Sequence, residues 1–544
     1  MKSRILVVPA AIALTQMTNA QVVGPAIRAH SANTSARSCS ETAIIAAGSA
    51  VAVAYNDYAG QMHYSISTKA LTGANPFAVF DANLTGVDCN STEVLTRGVD
   101  PMVARSTNGD LYLGGMFRYP IGGLSSSNAI AFSRKPAGSS SLDPAINLVC
   151  WSLEMGSDKP LMAIGPRPGG ATGERLYAAH TRVNQGNCGN YNSRSSSKLL
   201  LGSSIDDVPI GLDLNCGVTT LGCMPIVLPS GPSKGRLIVT MLPGPTLGNL
   251  PQVWRSDNEG LPTGGGQSWL LSSTPTQTRT PGVAGFEDLL AFDGQGASAV
   301  VPGNFRVHNF SALANDPGNS NSVYLVFVAG TPSAGASNLD IIISKSEDAG
   351  ATFLSTNTLH ITDSLLGLVT GTDQIMPWIA VDVSGGINLL FYSVNENATT
   401  DMENVPYFRV YYARFPSFSA TSPPTPFVHA LSPTFLVPVV PGASWPDGAQ
   451  VTGDYQMICA DSCNAYVAYM SAETGAADIY VRKITGLCAI ADSDQVGAIT
   501  TNDPPTFAMQ FLACDPLADL TNNGTIDAAD MQHFLTAFAC QCNP

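Results

Sequence analysis

The feature that most constrains this chain is a repeat. A Pro-containing approach segment leads into a short apolar strand, a Gly/Asn/Ser turn, a second strand of the type Leu-Tyr-apolar-apolar, a variable loop, and a third strand ending in Ser or Arg. The clearest copy runs Asp100-Pro101-Met102-Val103-Ala104, the Asn108-Gly109 turn, Leu111-Tyr112-Leu113 and Ala129-Ile130-Ala131-Phe132-Ser133. Others begin at Asp158-Lys159-Pro160 and at Met376-Pro377-Trp378, and weaker ones contain Val51–Tyr55, Leu237–Thr240, Phe310–Ala314 and Gly453–Gln456. Seven units at a spacing of roughly 60–85 residues result, longer than the roughly 40–50 of compact propeller repeats, with the excess in Gly/Ser/Pro-rich loops. A unit whose strands run apolar on both faces cannot bury itself, whereas radial packing of several buries both faces and leaves only short edges. The pattern predicts an all-β chain folded as a β-propeller of seven blades, with six as the alternative. A β-sandwich array would need linkers between domains, and a β-helix a much shorter repeat.

Lys2 and Arg4, an apolar run from Ile5 to about Leu14, and the small residues before Gln21 form the three-part pattern of a secretory signal peptide over 1–20, cleaved after Ala20. The run is shorter than the about 20 residues that span a bilayer, so the exported chain is expected to be secreted, extracellular or associated with the cell surface. The formal charge of −15 becomes −17 without Lys2 and Arg4, which argues against a nucleic-acid partner. Only 12% of residues are charged, against 51 glycines and 37 prolines, as suits a turn-rich β protein. All 12 cysteines follow the signal, and in an oxidising compartment their default state is disulfide-bonded. Local bridges Cys459–Cys463 and Cys216–Cys223 fit the spacing, and the remaining connectivity stays open.

The segment Ser346-Glu347-Asp348-Ala349-Gly350-Ala351-Thr352-Phe353 resembles the Asp-box of sialidase-like propellers, with Ser346, Asp348, Gly350, Thr352 and Phe353 at the motif positions and Phe in place of Trp. Ser and Asp side chains can close bonds to turn backbone, Gly accepts a positive φ, and the aromatic plugs the base of the hairpin. Ser256-Asp257-Asn258-Glu259-Gly260 with Trp269 reads as a degenerate copy, and Ser204-Ile205-Asp206 as a weaker one. The resemblance covers roughly 35–490 of a propeller domain at 21–500, and it implies a fold and structural turns, not a chemistry.

The sialidase resemblance would also imply three arginines around a substrate carboxylate, a Tyr–Glu nucleophile pair and an Asp acid. Phe117-Arg118-Tyr119-Pro120 has the letters of the family's arginine motif but follows its strand, and Phe305-Arg306-Val307-His308 has the position but lacks the Pro. Arg134, Arg255, Arg414 and Arg482 stand at blade ends and read as structural. Asp100, Asp158, Asp373 and Asp454 open repeat units and could converge on one face, although turn capping is the commoner role of such residues and the favoured reading. Tyr455 is a conceivable nucleophile that reads first as packing. No cofactor-binding motif and no catalytic set emerge, so the expected function is a glycan- or protein-binding propeller, with a sialidase-like glycoside hydrolase as the alternative.

Beyond Pro504-Pro505 the character changes. Oxygen-bearing residues fall at Asp519, Thr521, Asn523, Asp527 and Asp530, with Gly524 at the sixth position and the Thr525 carbonyl at the seventh, which is the ligand spacing of a twelve-residue calcium loop. Asp at position 12 makes the unit over 506–544 resemble a dockerin repeat. A full dockerin has two such repeats and this chain shows one. The resemblance implies tethering through a cohesin-like or cell-surface partner, and closure of the unit by Cys514 with Cys540 or Cys542.

Overall fold

The structure is a computed structural model of the 544-residue chain. It describes most of residues 21–485, the longest stretch left outside being 274–304, together with 502–513 and isolated positions up to 538. The expected signal peptide lies outside the described residues, as do Asp519, Thr521, Asn523, Thr525, Asp527 and Asp530.

Seven antiparallel sheets follow one another along the chain, and each is a blade. Blade 1 is built from Cys39–Ala47, Ala50–Asp57, Met62–Thr68 and Phe77–Asn83, and blade 2 from Arg97–Arg105, Leu111–Arg118, Asn128–Lys135 and Ile146–Trp151. Blade 3 comprises Met155–Pro166, Glu174–Asn184, Tyr191–Leu199 and Ile205–Pro209, and blade 4 Thr220–Val227, Leu237–Pro243, Gln252–Ser256 and Leu270–Leu271. Blade 5 comprises Ala312–Asn315, Val323–Ser333, Ala336–Ser346 and Thr358–Ile361, and blade 6 Asp373–Val381, Ile387–Val394, Tyr407–Phe415 and Phe427–Ala430. Each repeat unit read from the sequence falls in its own blade. The first strand of every blade touches the first strands of the blades on either side, so seven inner strands ring a central axis.

Burial follows from this arrangement. In blade 6 every residue of the two innermost strands is buried, whereas the outer strand Phe427–Ala430 is half-buried throughout. A strand covered on both faces has no use for polar alternation, which is why the inner strands read as continuous apolar runs.

Blade 7 is assembled from both ends of the propeller. Met457–Ala460, Ala465–Ser471 and Asp478–Thr485 supply three strands, and Val22–Val23 and Ile27–Arg28 complete the sheet by pairing antiparallel with Asp478–Thr485. This N-terminal strap is then fastened to blade 1. The Ala29 carbonyl accepts from Tyr55 Oη at 3.1 Å and Ser65 Oγ at 2.6 Å, and Asp81 accepts from Ser31 Oγ at 2.6 Å and Tyr55 Oη at 3.0 Å. Between the two blades the fully buried His30 accepts from the Ile479 N–H at 3.1 Å. Burial holds this imidazole below its ordinary pKa, against the opposing pull of Asp478 and Asp81.

The Ser346–Phe353 turn closes the hydrogen bonds that its spacing implies. Ser346 Oγ donates to Asp348 Oδ1 at 2.7 Å and accepts from the Gly350 N–H at 2.9 Å, while Asp348 accepts from the Thr352 N–H and Oγ1 at 2.8 and 2.7 Å. Burial pushes the Asp348 carboxyl up, but the bonds from Thr352, Ser346 and the turn backbone outweigh it and hold the group below the usual carboxylate range. Ser256–Leu261 in blade 4 repeats the geometry, with Gly260 N–H bonded to Ser256 Oγ at 2.8 Å and left-handed Glu259 and Gly260 matching Ala349 and Gly350. Of Ser204-Ile205-Asp206, Ser204 lies outside the described residues. Ile205 and Asp206 belong to the outer strand of blade 3, and Asp206 accepts from Arg175. Each of the two turns docks on the preceding blade. Arg255 and Ser272 of blade 4 bond the Ala351 and Gly350 carbonyls, and Arg167 of blade 3 bonds Glu259.

Cys459 is a thiol, so the Cys459–Cys463 bridge considered from its spacing is not formed, and Cys216 lies outside the described residues. After the propeller a helix at Asp503–Leu512 forms a small core of its own, in which Phe507 stacks on Phe534 at 4.1 Å beside Ala518. Among the described residues no helix is long and apolar enough to cross a membrane.

A Cβ at Gly350 would lie 2.6 Å from Ile238 Cδ1 of blade 4, on a backbone with φ of +80°. Gly350→Ala is therefore expected to cost about 1–3 kcal/mol through strain and overpacking, measured as a drop in C_m at constant m in urea unfolding.

Candidate functional site at the mouth of the ring

In three blades the inner strand carries an X-Pro pair within its length. Proline has no N–H to give the ladder, and at Asp100-Pro101, Lys159-Pro160 and Met376-Pro377 the register slips, so that a β-bulge interrupts the pairing. Blades 1 and 4 carry the same irregularity at Glu41 and Gly222. The bulged residue is left-handed each time, with φ of 50° at Glu41, 57° at Asp100, 49° at Lys159 and 51° at Met376. A left-handed backbone costs a non-glycine residue roughly 1–2 kcal/mol, so the surrounding contacts must hold each in place.

In blades 1 to 3 the bulged residues are charged, and the ring brings them together. Lys159 Nζ lies 2.6 Å from Asp100 Oδ1 and 3.0 Å from Glu41 Oε1. Their side chains are only 5%, 2% and 8% exposed. One ammonium thus bridges two buried carboxylates from three blades. Around it, the Tyr455 hydroxyl donates to the Pro101 carbonyl at 2.8 Å, the Tyr455 carbonyl accepts from the Thr42 N–H, and the Tyr455 ring packs 6.3 Å from that of Trp378. Gly453 is pressed so close that a Cβ there would lie 2.6 Å from the Glu41 nitrogen.

Below the bulges the inner strands enclose a central cavity of about 220 Å3, lined by Ile44, Val103, Leu161, Ile226, Asn315, Trp378 and Ile458, one from each blade. Arg105 is the one arginine among its described lining residues, and its Nη1 is spent on the Ala46 carbonyl at 2.7 Å. Because strands alternate in direction, the Ser256 and Ser346 turns at the ends of third strands lie at the opposite end of the ring from the charged bulges.

The aspartates that open repeats do not all converge. Asp100 joins the lysine, whereas buried Asp373 accepts from the Leu339 N–H at 2.9 Å and has Asp363 and Asp340 as its charged neighbours. Burial first, and then those two acids, push the Asp373 carboxyl up to about 7, and Asp340 is raised to about 6 for the same reasons. The Asp158 side chain and Asp454 lie outside the described residues. The blade-end arginines are structural. Arg134 bonds Asp110, Arg414 bonds Asp382 at 2.9 Å, Arg255 bonds Ala351, and Arg482 bonds the Leu431 carbonyl at 2.6 Å. The side chains of Arg118 and Arg306 lie outside the described residues, although the backbone at Phe305–Arg306 pairs in parallel with Gln450–Val451. Among the described residues no cluster of His, Cys, Asp and Glu is arranged to hold a metal ion.

Glu41 and Lys159 were not singled out from the sequence. The only signal was a charged residue directly before the first apolar strand, followed by Pro in two of three cases, and that pattern does not say that the three residues meet.

No protein-family model matches the chain, and no curated protein matches it in sequence. Among solved structures it is similar to an α-L-arabinofuranosidase of Fusarium graminearum, complexed with arabinobiose, at 10% identity and a TM-score of 0.39 over 71% of this chain and 92% of that one. It is also similar to a Penicillium chrysogenum α-L-arabinanase, at 9% identity and a TM-score of 0.38 over 86% and 99% of the two chains. The phage phi92 endosialidase has 10% identity and a TM-score of 0.39 over 85% and 69%. These likenesses are too distant to carry an activity. The seven-bladed β-propeller is established by the blade topology itself.

A carboxyl whose pKa is raised in the folded chain favours the folded state fully below its unfolded value near 3.8, and this contribution is lost as pH rises through the folded value. Asp373→Asn, which keeps an acceptor for the Leu339 N–H, is expected to flatten the decline in stability between about pH 4 and 7 and to raise the melting temperature at pH 8, read by calorimetry across that range.

Proposed function

We propose that the chain is an exported propeller of the Asp-box kind that binds glycans or proteins across the mouth face of its ring, at the cell surface or in an extracellular assembly. Its C-terminal segment would tether it there through a calcium loop at Asp519–Asp530. The observation that carries the binding reading over a catalytic one is the state of the two mouth carboxylates. A glycosidase presents one carboxyl as acid and a second group as nucleophile or base, each reaching the scissile bond. Here Glu41 and Asp100 both face Lys159 and are buried with it. Tyr455, the conceivable nucleophile, is engaged with Pro101 and packed on Trp378. Recognition of a carboxylate sugar by converging arginines finds no support in the described lining either, where Arg105 stands alone.

The test exposes the purified mature chain, with and without calcium, to a glycan array and to a panel of sialosides and arabinosides. Binding above background without release of sugar is expected. Release that scales with protein concentration would replace this reading with the sialidase-like hydrolase, and neither binding nor release would remove a glycan ligand. Calcium is expected to affect retention by a cohesin-like or cell-surface partner and to leave binding at the propeller unchanged.

A further inference from the structure

We propose that Lys159 and Asp100 join in an intramolecular amide, with Glu41 as the proton carrier, so that blades 2 and 3 are cross-linked covalently at the mouth of the ring. This does not rest on the binding reading, since the bond would form during or after folding whatever the propeller binds.

The reacting atoms are already in place. Lys159 Nζ stands 2.6 Å from Asp100 Oδ1, in hydrogen-bond contact with the carboxyl whose carbon it would attack, and a second carboxylate, Glu41, lies 3.0 Å from the same nitrogen. All three side chains are nine-tenths or more buried. Desolvation disfavours separated charges and favours the neutral pair of an amine and a carboxylic acid, which are the forms that react. Holding an amine against an acyl carbon replaces a bimolecular encounter by an effective concentration of roughly 10^5–10^8 M in well-oriented cases. That is enough to drive a condensation that free amines and carboxylic acids in water do not complete.

The step balances without a co-reactant. The lysine ammonium passes a proton to the carboxylates, and the neutral Nζ attacks the Asp100 Cγ. The Nζ–Cγ bond forms, the Cγ–Oδ bond breaks, and the oxygen leaves as one water after protonation by Glu41. Glu41 then recovers the proton that Nζ releases and ends as it began. Nothing is oxidised or reduced. Glu41 thus does general acid–base work at a single buried site.

Two features select Asp100 as the acyl partner. It is closer to Nζ than Glu41 is, and it precedes Pro101. The common competing fate of an activated aspartyl group is attack by the nitrogen of the following residue, which closes a succinimide. Proline has no N–H to do this, so the lysine is left as the intramolecular nucleophile. The left-handed bulges at Glu41, Asp100 and Lys159 point three side chains from separate blades at one spot, and such strain is expected where geometry serves a chemical step. A cross-link here would tie positions 59 residues apart and restrict blade separation where the Pro-bulges interrupt the ladders.

The test is the mass of the mature chain as purified, with cysteines reduced and alkylated and the N-terminus mapped. The expected result is a deficit of one water against the sequence mass, together with a branched peptide that joins the segments around Asp100 and Lys159 after digestion. Glu41→Gln, which keeps both partners and removes the proton carrier, is expected to restore the full mass in a folded chain, and so is Lys159→Arg, which keeps the charge and lacks a nucleophilic amine. The full sequence mass in the folded wild-type chain overturns the proposal, as does a missing water traced to any other residues. Should both variants fail to fold, the wild-type peptide map decides by itself.

Discussion

The propeller depends on the pairing of its N-terminal strap with its last blade. Six blades are continuous in sequence, but blade 7 takes its outer strands from Val22–Val23 and Ile27–Arg28, more than 400 residues from the partners they pair with. A ring of radially packed sheets buries both faces of every inner strand only when it is closed, because an open seam would expose two apolar blade faces at once. The seam is accordingly held by buried polar groups. Side chains of Tyr55, Ser65 and Asp81 meet the strap backbone, and His30 of the strap accepts from the Ile479 N–H of blade 7. The ladder fixes the strap to blade 7 and the side-chain bonds fix it to blade 1, so closure is specified from both sides.

The two ends of the ring solve different problems. At the end that carries the Ser256 and Ser346 turns, small hydrogen-bonded motifs hold blade to blade, and Gly350, the second of two left-handed residues in its turn, sits where Ile238 of blade 4 leaves no room for a Cβ. At the mouth, bulges that interrupt the inner-strand ladders place non-glycine residues in the same left-handed region. Three of those residues are of charged types, and their meeting gives each buried group a partner of opposite sign. The clustering of Glu41, Asp100 and Lys159 is thus a consequence of bulge geometry repeated in adjacent blades, and it concentrates the chemistry of the chain at one face.

Much of the architecture was legible in the residues. The strand–turn–strand units from Val51 to Val481 map one to one onto blades because each had to be apolar on both faces and could not be buried alone. At the Ser346–Phe353 turn the bonds from Ser and Asp side chains to turn backbone and the positive φ of Gly350 follow from the spacing, whereas the Ser346–Asp348 and Thr352–Asp348 side-chain bonds do not. In its weakest cousin Ser204 lies outside the described residues, while Ile205 and Asp206 are strand residues. The letters fit, but strand pairing with Tyr191–Leu199 claimed the segment first. Asp100 and Asp373 looked equivalent, each opening a repeat, yet one faces a lysine and the other two acids.

Sequence by itself determined what is local or periodic: the strands, the turns and the seven repeat units, with six blades left open as the alternative to seven. Tertiary structure alone decided which distant residues share a neighbourhood. That Lys159 stands between Glu41 and Asp100, that Asp373 lies among carboxyls, and that the strap pairs with Asp478–Thr485 all follow from how the closed ring orders its blades. The reason is physical. Backbone preferences act over a few residues, whereas the desolvation of a buried charge is set by whichever side chains the fold brings within a few ångströms of it.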